Sequence, residues 1–160
     1  GQLLALGDFP PAIKPFVFSW PAGQIVTYHK SKRASEDHRT IEAWKRLLQL
    51  LILAGFRRLH ILTHSMGARC FAACFDAMQH VFVPTDAPLG TTAGETGRMR
   101  LMSVTMLHPE LPVPQFVELH PRIHAVCALI TIYGNSKDSA LMWAQVFNDP
   151  VGTIRRTERA

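Results

Sequence analysis

The chain has 160 residues, 48% of them hydrophobic, and carries 17 Lys+Arg against 12 Asp+Glu for a formal net charge of +5. A chain of this length makes one domain with a real core, burying about 68–70% of its unfolded surface. The positive excess is scattered, apart from Lys30, Lys32 and Arg33 and from Arg155, Arg156 and Arg159, which speaks against a nucleic-acid partner.

Taken in order, residues 1–7 are apolar and read as the tail of a helix that Gly7 stops, after which Asp8-Phe9-Pro10-Pro11 turns the chain. Pro15-Phe16-Val17-Phe18-Ser19-Trp20 is short, continuous and rich in β-branched and aromatic residues, the pattern of a strand buried on both faces, and Pro21-Ala22-Gly23 ends it. Residues 24–34 are polar and basic and read as a loop. Ser35, with Glu36 and Asp37 behind it, marks a helix start; Ile41, Trp44, Leu47, Leu48, Leu51 and Ile52 form its stripe and Gly55 closes it.

A strand over residues 58–63 and a helix from Met66 follow, and then a Pro/Gly/Thr-rich stretch, residues 83–97, which reads as a surface excursion. Residues 100–107 make another strand. His108 to Pro114 reads as a rigid loop with at most a helical turn after it, residues 125–133 as the last strand and residues 139–147 as a final helix. Strands alternating with helices predict an α/β fold, a three-layer α/β/α domain with a mainly parallel sheet and right-handed crossovers. The longest apolar run, Leu47 to Ala54, contains Gln49 and is far shorter than the about 20 residues of a membrane span. Cys70, Cys74 and Cys127 lack metal spacing, and two of them sit four apart on a helix face, where cysteine packs as a small hydrophobe. No cofactor is implied.

The chemistry concentrates where the period changes. Up to Thr63 the residues are apolar or β-branched, and from Met66 onward Gly67, Ala68, Cys70, Phe71, Cys74, Phe75 and Met78 recur as a helix face. Ser65 falls on the switch. A serine pinched between a strand and a helix is a nucleophile elbow: the turn pushes its hydroxyl out of the end of the sheet, and the N–H of the next residue, Met66, points at an oxyanion. Of the pattern Gly-x-Ser-x-Gly the second glycine is present as Gly67, and Thr63 replaces the first. The competing reading makes Ser65 a plain N-cap of the helix.

With these residues placed, the sequence resembles the α/β-hydrolase superfamily and, within it, a branch catalogued as a domain of unknown function. The resemblance runs through Phe18-Ser19-Trp20-Pro21, through the spacing from Tyr28 to Ser35, through His64-Ser65-Met66-Gly67, and through Ile130-Thr131-Ile132-Tyr133-Gly134-Asn135-Ser136-Lys137-Asp138-Ser139-Ala140-Leu141. It implies Ser65 as nucleophile, the Met66 N–H as one oxyanion donor and Asp138 as the carboxylate that orients a histidine. Asp138 could equally cap the helix beginning at Ser139. Glu110, after the preceding strand, is the alternative acid.

The family order is serine, acid, histidine, yet no histidine follows His124 in the 160 residues. His80, His108, His120 and His124 read as loop or surface residues, and His64 points away from Ser65. The resemblance therefore implies a partial α/β-hydrolase fold, with the histidine base and a second oxyanion donor outside this chain. The function expected is a serine hydrolase of the esterase, lipase or thioesterase kind, taking a small-molecule or lipid ester by acyl transfer. The alternative is a non-catalytic binding or scaffold member of the same fold. Oligomeric state and compartment are not written in the sequence.

Overall fold

The computed structural model describes residue 7 and residues 9–21, 28–88 and 97–134. Within them the elements run α1 (Tyr28–Ser35), α2 (His38–Leu53), β1 (Arg58–His64), α3 (Met66–Met78), a 3-10 turn at Gln79–Val81, β2 (Arg100–Leu107), α4 (Val113–His124) and β3 (Ile130–Tyr133). The sheet order is β1-β2-β3, and both neighbouring pairs are parallel. Parallel neighbours require a crossover rather than a hairpin, and α3 and α4 supply the two crossovers. Two right-handed steps in the same direction put both helices on one face of the sheet, and α3 accordingly packs against α1, α2 and α4.

The face that meets those helices is apolar apart from Thr63. Ile61, Val104 and Ile130 stand in register across the three strands, as do Thr63, Met106 and Ile132; of these only Ile132 is not fully buried. On the other face of β1, His60, Leu62 and His64 are exposed among the described residues. From α3, Ala68, Phe71, Phe75 and Met78 enter the core at helical spacing, and Leu48 of α2 and Phe116, Leu119 and Ile123 of α4 meet them there. Cys70, Cys74 and Cys127 are free thiols buried in the same core, and the Cys74 thiol is pushed well up by its hydrogen bond with Cys70 and by burial. No helix among the described residues is long and apolar enough to cross a membrane.

The ends of α2 follow helix chemistry. Asp37 accepts a 2.8 Å hydrogen bond from the Arg39 N–H as N-cap, and Gly55, at φ 91, takes the left-handed position after the last turn. The start is therefore two residues later than Ser35. Ser35 instead ends α1, a helix that replaces the basic loop expected over residues 24–34 where these are described, and its hydroxyl donates to the Lys32 carbonyl.

Three further expectations are corrected. Residues 15–20 are extended but pair with no strand among the described residues; Phe16 and Val17 are 55% and 72% exposed. Aromatic contacts hold this segment instead, Phe16 edge-on to Phe56 and Phe18 stacked on Trp44 at 4.8 Å. The last strand is shorter than 125–133, beginning at Ile130 with only an isolated bridge from Cys127 to Leu101 before it. Between them the stretch read as a loop is the twelve-residue helix α4.

Three prolines obscured that helix. Pro112 precedes it and Pro114 lies in its first turn, where the missing N–H has no partner to lose. Pro121 is interior and costs roughly 3 kcal/mol. Burying Phe116, Leu119 and Ile123 offsets that, at about 1.5–3 kcal/mol for each side chain. In the stretch read as an excursion, residues 83–97, Val83 is buried while Pro84, Thr85 and Asp86 are exposed; just outside it, buried Phe82 is bridged to Met99. The helices expected over residues 1–7 and 139–147 lie outside the described residues, Gly7 apart.

Phe75 is fully buried and Leu53 is 83% exposed. Phe75→Ala is expected to destabilise the chain by about 3–5 kcal/mol, and Leu53→Ala to stay within about 0.5 kcal/mol of the parent. Urea unfolding followed by circular dichroism measures both.

Candidate functional site

Ser65 is the single residue between the last residue of β1, His64, and the first of α3, Met66. Its backbone sits at φ 49, ψ −120, a region that non-glycine residues enter at a cost of about 1–3 kcal/mol and that clusters at functional sites. Both of its backbone polar groups are held. The Ser65 N–H donates to the Leu107 carbonyl at 2.9 Å, and the Ser65 carbonyl accepts from the N–H groups of Ala68 at 3.0 Å and Glu110 at 3.1 Å. The end of β2 and the loop behind it thus clasp the elbow, and three bonds worth about 0.5–1.5 kcal/mol each are enough to offset the strain.

The side chain of Ser65 makes no capping hydrogen bond to α3. Ser65 stands at the N-cap position of α3, but its hydroxyl is not spent on the helix. The Met66 N–H is the first of α3, where helix geometry offers no intrahelical acceptor and the helix end carries partial positive charge. Half-buried Ser65 and the first N–H of α3 thus stand next to each other in the chain at the carboxyl end of β1, beside β2.

His108 is the only other non-glycine residue with positive φ among the described residues, at φ 43. It follows β2 as Ser65 follows β1, and its N–H donates to the Tyr133 carbonyl at 2.7 Å. The loop after β2 therefore reaches one way to the elbow and the other way to the end of β3. His64, His80, His108 and His124 are exposed, whereas His120 is half-buried with its ring centroid 5.5 Å from that of Phe116. Of the candidate acids, Glu110 is placed beside the elbow through its backbone, while Asp138 lies outside the described residues. No group of three His, Cys, Asp or Glu side chains among the described residues is placed to hold a metal.

Sequence reasoning missed Arg69. It is 8% exposed, one turn into α3, and its guanidinium pairs with Glu36 at 3.2 Å and Glu110 at 3.9 Å. It thereby ties the turn before α2 and the loop after β2 to the elbow helix. An arginine in a run of small residues carries no local sign of burial; only the two acids that converge on it from distant sequence reveal it.

Trp20 reaches the elbow from the extended segment. A Cβ placed on Gly67 would lie 3.7 Å from the Trp20 Cη2 and 3.6 Å from the Thr63 Cβ. Behind Trp20 lies a cavity of about 220 Å³ whose walls include Phe18, Trp20, Ala34, Asp37, Thr40 and Ala43. At its edge, Arg39 holds the Asp37 carboxyl below its ordinary range through side-chain and backbone hydrogen bonds.

Comparison with known families places residues 6–157 in the family model described as an alpha/beta hydrolase of unknown function (DUF900). No curated protein and no solved structure matches the chain.

The gaps at Gly67 are those of ordinary van der Waals contact, so a methyl group fits there and a longer side chain displaces Trp20. Gly67→Ala is expected to leave stability within about 1 kcal/mol of the parent or raise it. Gly67→Leu is expected to lose about 1–3 kcal/mol through overpacking. Thermal unfolding of the two variants checks the difference.

Proposed function

The chain belongs to this family of α/β-hydrolases of unknown function, and on that premise we propose that it is a serine hydrolase acting by acyl transfer on an ester or thioester. The observation that carries the reading is the backbone of Ser65, held at φ 49 and ψ −120 by bonds from β2 and the loop behind it while its hydroxyl caps nothing. Strain of this kind persists only where the surroundings impose it. A structural turn at this position would use glycine without cost.

In this mechanism the Ser65 Oγ attacks the acyl carbonyl as a base takes its proton, and the carbonyl electron pair moves onto oxygen, where the Met66 N–H donates to it. Collapse of that intermediate breaks the bond to the leaving alcohol or thiol, which receives the proton from the base. Water then attacks the acyl-serine, giving its proton to the same base, and collapse breaks the acyl bond to the Ser65 Oγ, which takes that proton back as the acid is released. By the family order the base is a histidine oriented by Asp138, and no histidine follows Asp138 within the 160 residues. Glu110 is the alternative acid. Its backbone bond to Ser65 supports nearness to the site, and its carboxylate faces Arg69 at 3.9 Å.

Fluorophosphonate labelling followed by peptide mapping, with p-nitrophenyl ester hydrolysis beside it, tests the assignment. Label is expected on Ser65 and is lost in Ser65→Ala. Turnover by these 160 residues is expected near the level left when one triad member is missing, at most about 10³–10⁴-fold over water. Label on another residue, or hydrolysis undiminished in Ser65→Ala, would remove Ser65 from the mechanism.

A further inference from the structure

We propose that the cavity beside the elbow receives one compact, uncharged apolar group of the substrate, a short acyl chain or a single ring. As a substrate pocket it rests on the reading of Ser65 as nucleophile; as a binding site it stands on its own geometry.

Position comes first. Trp20 is a wall of the cavity and is also the side chain nearest the Gly67 Cβ position after Thr63, so one indole separates the cavity from the elbow. Asp37 and Thr40, also in the lining, belong to the start of α2, and Glu36 just before them pairs with Arg69 of α3. The cavity therefore lies against the same end of α3 as Ser65.

Size and chemistry then select the occupant. An apolar cavity of about 150 Å³ is known to take up benzene, and drug-sized ligands use about 300–1,000 Å³. The 220 Å³ here fits one ring or a short chain. Phe18, Trp20, Pro21, Ala34 and Ala43 give it apolar walls. Three of its polar residues, Thr40, Asp37 and Arg39, are already engaged. The Thr40 hydroxyl donates to the Ala34 carbonyl at 2.7 Å, and the Asp37 carboxylate accepts three hydrogen bonds from Arg39. The Trp20 indole nitrogen is shielded from solvent and has no hydrogen-bond partner, so what this wall presents to the cavity is ring carbon. The two charged residues of the lining, Asp37 and Arg39, pair with each other at 3.0 Å, so the lining calls for no further charge.

Ala43 is exposed on α2 and Ala34 half-buried on α1, so leucine at either position narrows the cavity without entering the core or the elbow. The test uses the 160-residue chain, its Ser65→Ala variant, and Ala43→Leu and Ala34→Leu in both backgrounds, with folding checked by circular dichroism. Tryptophan fluorescence is titrated with benzamide and hexanamide, which are neutral and resist hydrolysis. Saturable binding is expected in Ser65→Ala, weakened at least about 10-fold by either leucine, the scale of a methylene-sized misfit in an apolar pocket. The Ser65-dependent preference for p-nitrophenyl butyrate over acetate is expected to fall by a similar factor.

Absence of saturable binding, or equal binding in both folded leucine variants, overturns the pocket. Saturable, leucine-sensitive binding without Ser65-dependent hydrolysis upholds the pocket and sinks the hydrolase reading. Ser65-dependent hydrolysis with an unchanged chain-length preference does the reverse.

Discussion

The site depends on the clasp that β2 and its following loop place on Ser65. Leu107 accepts from the Ser65 N–H, and Glu110 and Ala68 donate to the Ser65 carbonyl, so a backbone that would relax in an isolated strand-helix turn has no free group with which to relax. The clasp exists only because β1 and β2 run parallel and, past a register shift between Leu59 and His60, hold one register from His60 to His64, with His64 opposite Leu107. A slip by one residue would turn the apolar set of β1 away from the helices and lift Ser65 off its partners. The buried row of Ile61, Val104 and Ile130 guards against that slip.

Around the clasp, the helices fix what the sheet leaves open. Phe75 and Met78 anchor the far end of α3 in the core, while Arg69 secures its near end to Glu36 and Glu110. Both acids are partly exposed, so each pair contributes little free energy singly. Their contribution is direction: two segments distant in sequence converge on one guanidinium behind the elbow. Trp20 covers the remaining side, and its contact at Gly67 explains why the residue after Met66 is small.

The elbow was legible in the sequence because everything that makes it is local. The switch from a β-branched run to helical spacing, the small residues after Ser65, and the Gly55 stop of α2 all lie within a few residues of the feature they predict. The family resemblance rested on the same kind of signal, and the family match over residues 6–157 agrees with it. The parallel sheet also followed, from alternation and the crossover rule.

What failed was decided by partners outside the window of local pattern. Residues 15–20 have strand composition, yet hydrogen-bond pairing belongs to two chains at once, and here Phe18 found the ring of Trp44 instead of a ladder. Residues 113–124 carry an interior proline that argues against a helix, and only the core receiving Phe116, Leu119 and Ile123 outweighs it. Arg69 reads as a surface charge until Glu36 and Glu110 close over it, and Trp20 as an ordinary strand aromatic until it lies beside Gly67. The sequence by itself determined the turn, its serine and the elements flanking it, since those are set by torsional preference and periodicity over a few residues. Tertiary structure alone decided which distant groups clasp that serine and what cavity stands beside it, since those follow from burial and pairing between segments tens of residues apart.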